Sequence, residues 1–105
     1  MDISYFKDKI CDELDGACEY IKDAIEHKST NMAWAKQFAD MSAVELGHAT
    51  NLFKMFEDYF NGLVKDISEQ SRAGMPWLDS SKKEIVDMYT EKYAKVRYMH
   101  ELFNK

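Results

Sequence analysis

Apolar residues recur every three or four positions along most of the chain, which is the spacing of one face of an α-helix. Three segments follow this pattern, at about residues 3–27, 31–71 and 81–103. The polar stretch "HKSTN" separates the first two segments, and "RAGMPWLDS" separates the second from the third. No segment alternates apolar and polar residues as a half-buried strand does, so the pattern predicts an all-α fold.

The residues between the segments predict where each helix ends. Gly74 is a residue that ends helices, and Pro76 disfavours continuation of the second helix. Ser81 followed by Glu84 fits a capping box and predicts the start of the third helix. Gly62 is a weak point inside the second helix. The short turn between the first two helices predicts that they form an antiparallel hairpin.

Charged residues interrupt one apolar stripe on each of the first two predicted helices. On the second helix, alternating spacings of four and three residues select Trp34, Phe38, Met41, Glu45, His48, Leu52, Met55 and Tyr59. On the first helix, similar spacings select Ile3, Phe6, Ile10, Glu13, Ala17, Tyr20 and Ala24. Stripes of this kind face the interior, so Glu13, Glu45 and His48 are predicted to point inwards.

The three ionisable residues are also predicted to lie at one level of the hairpin. If the turn is centred near residue 29 or 30, the residue opposite Glu45 is between 13 and 15, and Glu13 fits. Neither stripe supplies a lysine or arginine, and burial of an uncompensated carboxylate costs several kcal/mol. A bound metal ion would compensate these charges. Alternatively, Glu45 and His48 form a local hydrogen bond while Glu13 lies at a solvent-exposed edge of the hairpin.

Composition limits the classes of protein to be considered. The 105 residues are enough for one domain, 1–105, and 46% hydrophobic with 31% charged residues is typical of a folded globular protein. A net charge of −5 argues against nucleic acid as a partner. No signal peptide or membrane-spanning segment is visible, so a cytoplasmic location is expected. Cys11 and Cys18 are seven residues apart, too far on one helix for a mutual disulfide.

These residues resemble a known metal site. A Glu on one helix and Glu-x-x-His on the next is the half-site of the ferritin-like di-iron carboxylate superfamily. The segments "ELDGACEYIKDA" (13–24) and "FADMSAVELGHATNLFKMF" (38–56) are similar to the first and second helices of rubrerythrin-type proteins. The resemblance covers about residues 3–60. It implies that Glu13, Glu45 and His48 are the metal ligands and catalytic residues, and that Tyr20 hydrogen-bonds behind them.

The chain departs from the superfamily after the hairpin, because a full bundle needs a second Glu and a second Glu-x-x-His. His100 on the third helix is expected to be a surface or seam residue and not a ligand. Two chains would complete the ligand set by pairing as a homodimer, or within a higher homo-oligomer, into a ferritin-like four-helix bundle. Such half-sites resemble the encapsulated-ferritin family. That resemblance implies a ferroxidase that oxidises ferrous iron with oxygen or peroxide at two iron ions per dimer.

Other readings of the chain remain open. Manganese suits the same carboxylate and imidazole ligands as iron does. An encapsulin shell is a partner that the resemblance implies, although no targeting tail is seen after "MHELFNK". The hairpin could instead be a non-catalytic dimerisation and interaction module with Met75, Trp77 and Leu78 as exposed anchors. In a third reading, the metal has a structural role only.

Overall fold

The computed structural model describes residues 2–105, and these form four helices without a strand. They are α1 (Ile3–His27), α2 (Met32–Val64), the short α3 (Glu69–Ala73) and α4 (Pro76–Phe103). The Cα atoms extend over 60 × 19 × 16 Å, so the three long helices lie side by side in an elongated bundle. The predicted all-α class is confirmed.

Polar side chains cap both helices of the α1–α2 hairpin. The Asp2 carboxylate accepts a hydrogen bond from the Tyr5 backbone N–H at 3.2 Å, and the Asn31 side chain accepts one from Trp34 N–H at 3.1 Å. Each cap satisfies a backbone donor that lacks a partner within its own helix. The predicted bounds of the first helix and the start of the second agree with the structure.

The predicted end of the second helix is wrong, because α2 stops at Val64 and not near Ser71. Ser68 starts a separate helix, α3, by accepting a hydrogen bond from the Ser71 backbone N–H at 3.1 Å. The sequence from Lys65 to Ser71 contains neither Gly nor Pro, the residues that most clearly mark the end of a helix. Serine competes for backbone donors and thereby favours a new N-terminus over a continued helix.

The predicted start of the last helix is also wrong, because α4 begins at Pro76 and not at Ser81. Proline at the first helical position is favourable, since its missing N–H would have no partner there and its φ is already helical. The Ser81 hydroxyl donates to the Trp77 carbonyl oxygen at 2.7 Å, so it is an interior residue and not a cap. Part of the predicted "RAGMPWLDS" loop is therefore helical.

The hydrophobic core lies on both sides of α1. Helix α1 packs against α2 along one side and against α4 along the other, whereas α2 and α4 touch at only a few places. The buried apolar residues are Phe6, Ile10, Leu14, Ala17, Ile21 and Ala24 of α1, Ala35, Leu46, Ala49, Phe56 and Phe60 of α2, and Leu78, Ile85, Val96 and Phe103 of α4.

The face of α2 that packs in the core differs from the predicted face by one residue. Each buried residue of α2 comes one position after a residue of the predicted stripe, and the buried residues are Ala35, Ser42, Leu46, Ala49, Phe56 and Phe60. Apolar side chains occupy both neighbouring stripes of α2, so periodicity does not show which stripe faces the core of a single chain. The predicted stripe instead leaves Trp34, Met41 and Met55 with 58%, 38% and 52% exposure.

A buried serine joins all three long helices. The Ser42 hydroxyl of α2 donates to the Ala17 carbonyl oxygen of α1 at 2.7 Å and lies 2.9 Å from His100 Nε2 of α4. Because the single hydroxyl hydrogen is used on Ala17, His100 Nε2–H donates to Ser42. His100 therefore lies at a helix seam, as expected from the sequence. A second contact joins α4 to α2, because the Tyr89 ring stacks on the Phe53 ring with 4.2 Å between ring centroids.

This histidine should make the free energy of unfolding depend on pH. Burial, with a smaller effect from Arg97, lowers the pKa of His100 below 6.5. The unfolded chain therefore takes up the proton at a higher pH than the folded protein does. The His100 contribution to stability is complete above about pH 6.5 and decreases as pH falls through the window down to the lower folded pKa.

Urea unfolding at about pH 7.5 and about pH 5.5 measures this effect, on either side of the ordinary histidine pKa. When the pH is lowered between these two values, the parent should lose more free energy of unfolding than the His100→Gln variant does. The glutamine amide retains an N–H donor for Ser42. An equal loss in the two proteins would show that His100 does not set the pH dependence.

Two further sequence predictions concern cysteines and membranes. Cys11 and Cys18 are free thiols, as their spacing on α1 predicts. Within residues 2–105, no helix combines the length and apolar character needed to cross a bilayer.

Candidate metal centre

The structure brings Glu13, Glu45 and His48 together at the middle of the α1–α2 hairpin. Glu13 lies on α1, and Glu45 and His48 lie one turn apart on α2. Each side chain offers one ligand atom, and the three atoms lie within 4.8 Å of one another. The predicted register of the hairpin is therefore confirmed at this level. No other group of three His, Cys, Asp or Glu side chains among residues 2–105 meets the same distance test.

The three side chains already contact one another without an ion. His48 Nδ1 lies 3.4 Å from Glu13 Oε2, where an N–H donates towards the carboxylate. A hydrogen bond with Glu13 is the main reason why the pKa of Glu45 is raised above its usual value, followed by burial and by the charge of Glu13. His48 acts in the opposite direction. The Glu13 carboxylate therefore disfavours ionisation of Glu45, a cost that a bound cation would offset.

Basic side chains do not neutralise this cluster. Within the described part of the chain, neither Glu13 nor Glu45 forms an ion pair with a lysine or arginine. By contrast, nearby Asp15 on α1 pairs with Lys92 of α4 at 2.7 Å. Two carboxylates and one imidazole without a competing ammonium group form a donor set that suits ferrous iron or manganese.

The cluster lies at an open edge of the hairpin and not in its interior. The side chains of Glu13 and His48 are 28% and 53% exposed. The prediction that all three point into the core of the chain is therefore wrong for His48 and only partly right for the two glutamates. The buried neighbours of the ligands, Leu46 and Ala49, occupy the core positions instead.

An exposed apolar face of α2 surrounds the cluster. We define it by five large side chains that flank Glu45 and His48 along the helix: Trp34, Met41, Val44, Met55 and Leu63. Their exposed fractions range from 38% for Met41 to 58% for Trp34. Helix α4 does not cover this face, because it packs mainly on the other side of α1. The metal-binding candidates therefore lie within a surface that is open in the single chain.

Tyr20, expected behind the ligands, lies farther along the hairpin. Its ring stacks on Phe38 with 6.5 Å between ring centres, and the Phe38 ring also contacts His27 at 5.5 Å. Among residues 2–105, the Tyr20 hydroxyl makes no hydrogen bond with the three candidate ligands. In the single chain its observed role is that of an aromatic packing residue.

Gly16 belongs to the site but was missed in the sequence. It lies one turn after Glu13 on α1, where a Cβ atom would be 3.2 Å from Glu45 Oε2. A glycine in the middle of a predicted helix, next to a candidate ligand, was the available signal. Glycine lowers helix stability, so its presence there points to close packing.

Comparisons with known proteins identify no relative. No family model, curated protein or solved structure matches this chain.

Proposed function

We propose that this protein binds iron at a ferritin-like di-iron site shared between two chains and oxidises ferrous iron there. The observation that carries the proposal is the convergence of Glu13, Glu45 and His48 within 4.8 Å without a basic partner. The nearby Glu13 carboxylate raises the pKa of Glu45, so ionising both carboxylates costs free energy in the metal-free site.

The residues of one chain supply half of a di-iron ligand set. Two carboxylates and one imidazole leave a metal ion incompletely coordinated by protein. A second copy related by a two-fold axis would bring the total to four carboxylates and two imidazoles for two ions. Glu13 and Glu45 would supply the carboxylate oxygens that hold the ions, and His48 would supply a neutral ring nitrogen.

The exposed apolar face of α2 supports pairing at this surface. Its five large side chains flank the ligands, so a partner that covers them would also enclose Glu45 and His48. Burial of exposed apolar side chains is the usual driving force for association. Two hairpins packed through these faces would form a four-helix bundle, with α4 of each chain on the outside of α1.

Iron would act here as the substrate, with dioxygen or peroxide as the electron acceptor. The bound ferrous ions supply the electrons, and the protein supplies ligands that favour the ferric product. A carboxylate ligand must be ionised, so any proton on Glu45 would be released when the ion binds. The surrounding apolar side chains would restrict water at the dimer interface.

One observation bears on the alternative reading as an interaction module. Of its three proposed anchors, Trp77 is 61% exposed, but Leu78 is buried and Met75 is half-buried. Only one anchor is thus available to a partner, which favours the metal site as the functional feature. A purely structural metal would differ from a ferroxidase in showing no turnover.

The proposed function is tested by adding ferrous iron to metal-free protein under argon and then admitting air. Ferric absorbance should rise faster than in protein-free buffer, with about two ions bound per two chains before air is admitted. Binding without faster oxidation would support a structural metal. The proposal would be contradicted if, at saturating iron, the protein neither bound iron nor oxidised it faster than buffer does.

A further inference from the structure

We propose that Gly16 is a positioning residue whose missing side chain lets the Glu45 carboxylate lie against α1 beside Glu13. A Cβ atom at position 16 would lie 3.2 Å from Glu45 Oε2 and 3.6 Å from the carboxyl carbon. Both atoms belong to the Glu45 carboxylate, the group that would bind the metal. The consequence for metal binding rests on the proposed function, whereas the contact between the two residues does not.

The backbone does not require glycine at this position. Gly16 lies inside α1, and no glycine in the described chain has a positive φ. Alanine would therefore fit the helical conformation and would be preferred by helix propensity. Close approach of a neighbouring group is the remaining structural reason for a glycine here.

The other interior glycine next to the site makes a useful contrast. Gly47 lies between Glu45 and His48 in sequence, yet a Cβ atom there would meet nothing within 4 Å. Gly62, farther along α2, is equally free. The close contact is thus particular to Gly16, and Gly47 provides a matched control in the same region.

A methyl group at position 16 would displace Glu45 and not the backbone. The Glu45 carboxylate ends a flexible side chain, so it would move by a few tenths of an ångström to relieve the contact. The movement would be away from position 16 and would change where the Glu45 oxygens lie relative to Glu13 and His48. Small displacements of ligands reduce metal affinity because the donor atoms no longer meet at one distance from the ion.

The first test measures the contact in metal-free protein by a double-mutant cycle. In the Glu45→Ala background, Gly16→Ala should raise the folding equilibrium constant by about two- to fivefold, the ordinary gain of helix propensity. In the parent background the gain should be smaller or absent, because the new methyl group meets the carboxylate. Gly47→Ala should give the full gain in both backgrounds. Equal gains for Gly16→Ala in the two backgrounds would overturn the inference.

The second test measures affinity for Mn²⁺ under conditions in which every variant is folded. Gly16→Ala should bind about tenfold more weakly than the parent, and Gly47→Ala should bind as the parent does. Parental affinity in Gly16→Ala would overturn the positioning role. If the parent binds neither Mn²⁺ nor ferrous iron, the proposed function is wrong, and the cycle still decides whether Gly16 positions Glu45.

Discussion

Replacing Glu45 by alanine is expected to reduce ferrous oxidation to the rate of iron in buffer. The substitution removes one of the three side chains whose ligand atoms lie within 4.8 Å of one another. In the proposed dimer it removes both symmetry-related carboxylates. The effect is measured as the initial rate of ferric absorbance after air is admitted to protein loaded with ferrous iron.

The same variant should remain folded. The raised pKa of Glu45 means that its ionisation costs free energy in the metal-free protein, mainly because of Glu13. The unfolded chain binds fewer protons in the window above pH 4.5, so this cost grows as pH rises through that window. Removing Glu45 should therefore leave stability at neutral pH equal to or above that of the parent.

A matched control separates loss of a ligand from loss of charge. Glu57 is an exposed glutamate of α2, away from the cluster. Glu57→Ala should oxidise iron at the parental rate. A parental rate in Glu45→Ala would show that the cluster is not the site of oxidation.

The hairpin and the meeting of Glu13, Glu45 and His48 could be predicted from the sequence because both depend on local features. The polar stretch "HKSTN" separates two long helical patterns, and the short turn fixes which residues of α1 and α2 lie opposite. Once the turn is placed, Glu13 must lie near Glu45. The meeting of the three candidate ligands follows from this register and needs no knowledge of the third helix.

The face of α2 that packs in the core could not be predicted in the same way. Phe56 and Phe60 face α1, whereas Met55 on the neighbouring stripe is exposed. Both stripes are apolar, and only the packing of whole helices decides between them. Apolar residues therefore cover a wider arc of α2 than its packing against α1 uses. Such an arc is expected for a helix that packs against a second partner.

The connection to the last helix was mispredicted because two local signals competed. Ser81 and Glu84 match a capping box, but Pro76 is equally suited to a first helical position. Burial of Leu78 in the core favours the earlier start, since the first turn of α4 then packs against the bundle. Such tertiary contacts are not visible in a sequence pattern.

Introducing a lysine at Met55 is expected to dissociate the proposed dimer. Met55 is 52% exposed in the single chain and belongs to the exposed apolar face of α2. It lies about two turns from His48, roughly 10 Å along the helix, so its charge does not enter the metal site directly. An ammonium group buried in the interface should raise the dimer dissociation constant by at least about thirtyfold, or about 2 kcal/mol.

Sedimentation over a concentration series measures this change, with and without ferrous iron under argon. Metal should strengthen the proposed dimer of the parent, because the complete site would exist only in the paired state. Tyr98→Lys is the control, since Tyr98 is 59% exposed on α4 and lies outside the proposed interface. Equal dissociation constants for the parent and Met55→Lys would exclude this face as the interface. The folding stability of each substituted chain should change by no more than about 0.5 kcal/mol.

Anomalous scattering at the iron edge, from crystals grown with ferrous iron under argon, tests the shared metal site most directly. Two iron peaks are expected beside a two-fold axis between chains. Each peak should contact carboxylate oxygens of Glu13 and Glu45 and a ring nitrogen of His48, with ligands from both chains. Iron bound at other residues, or a complete two-iron site within a single chain, would contradict it.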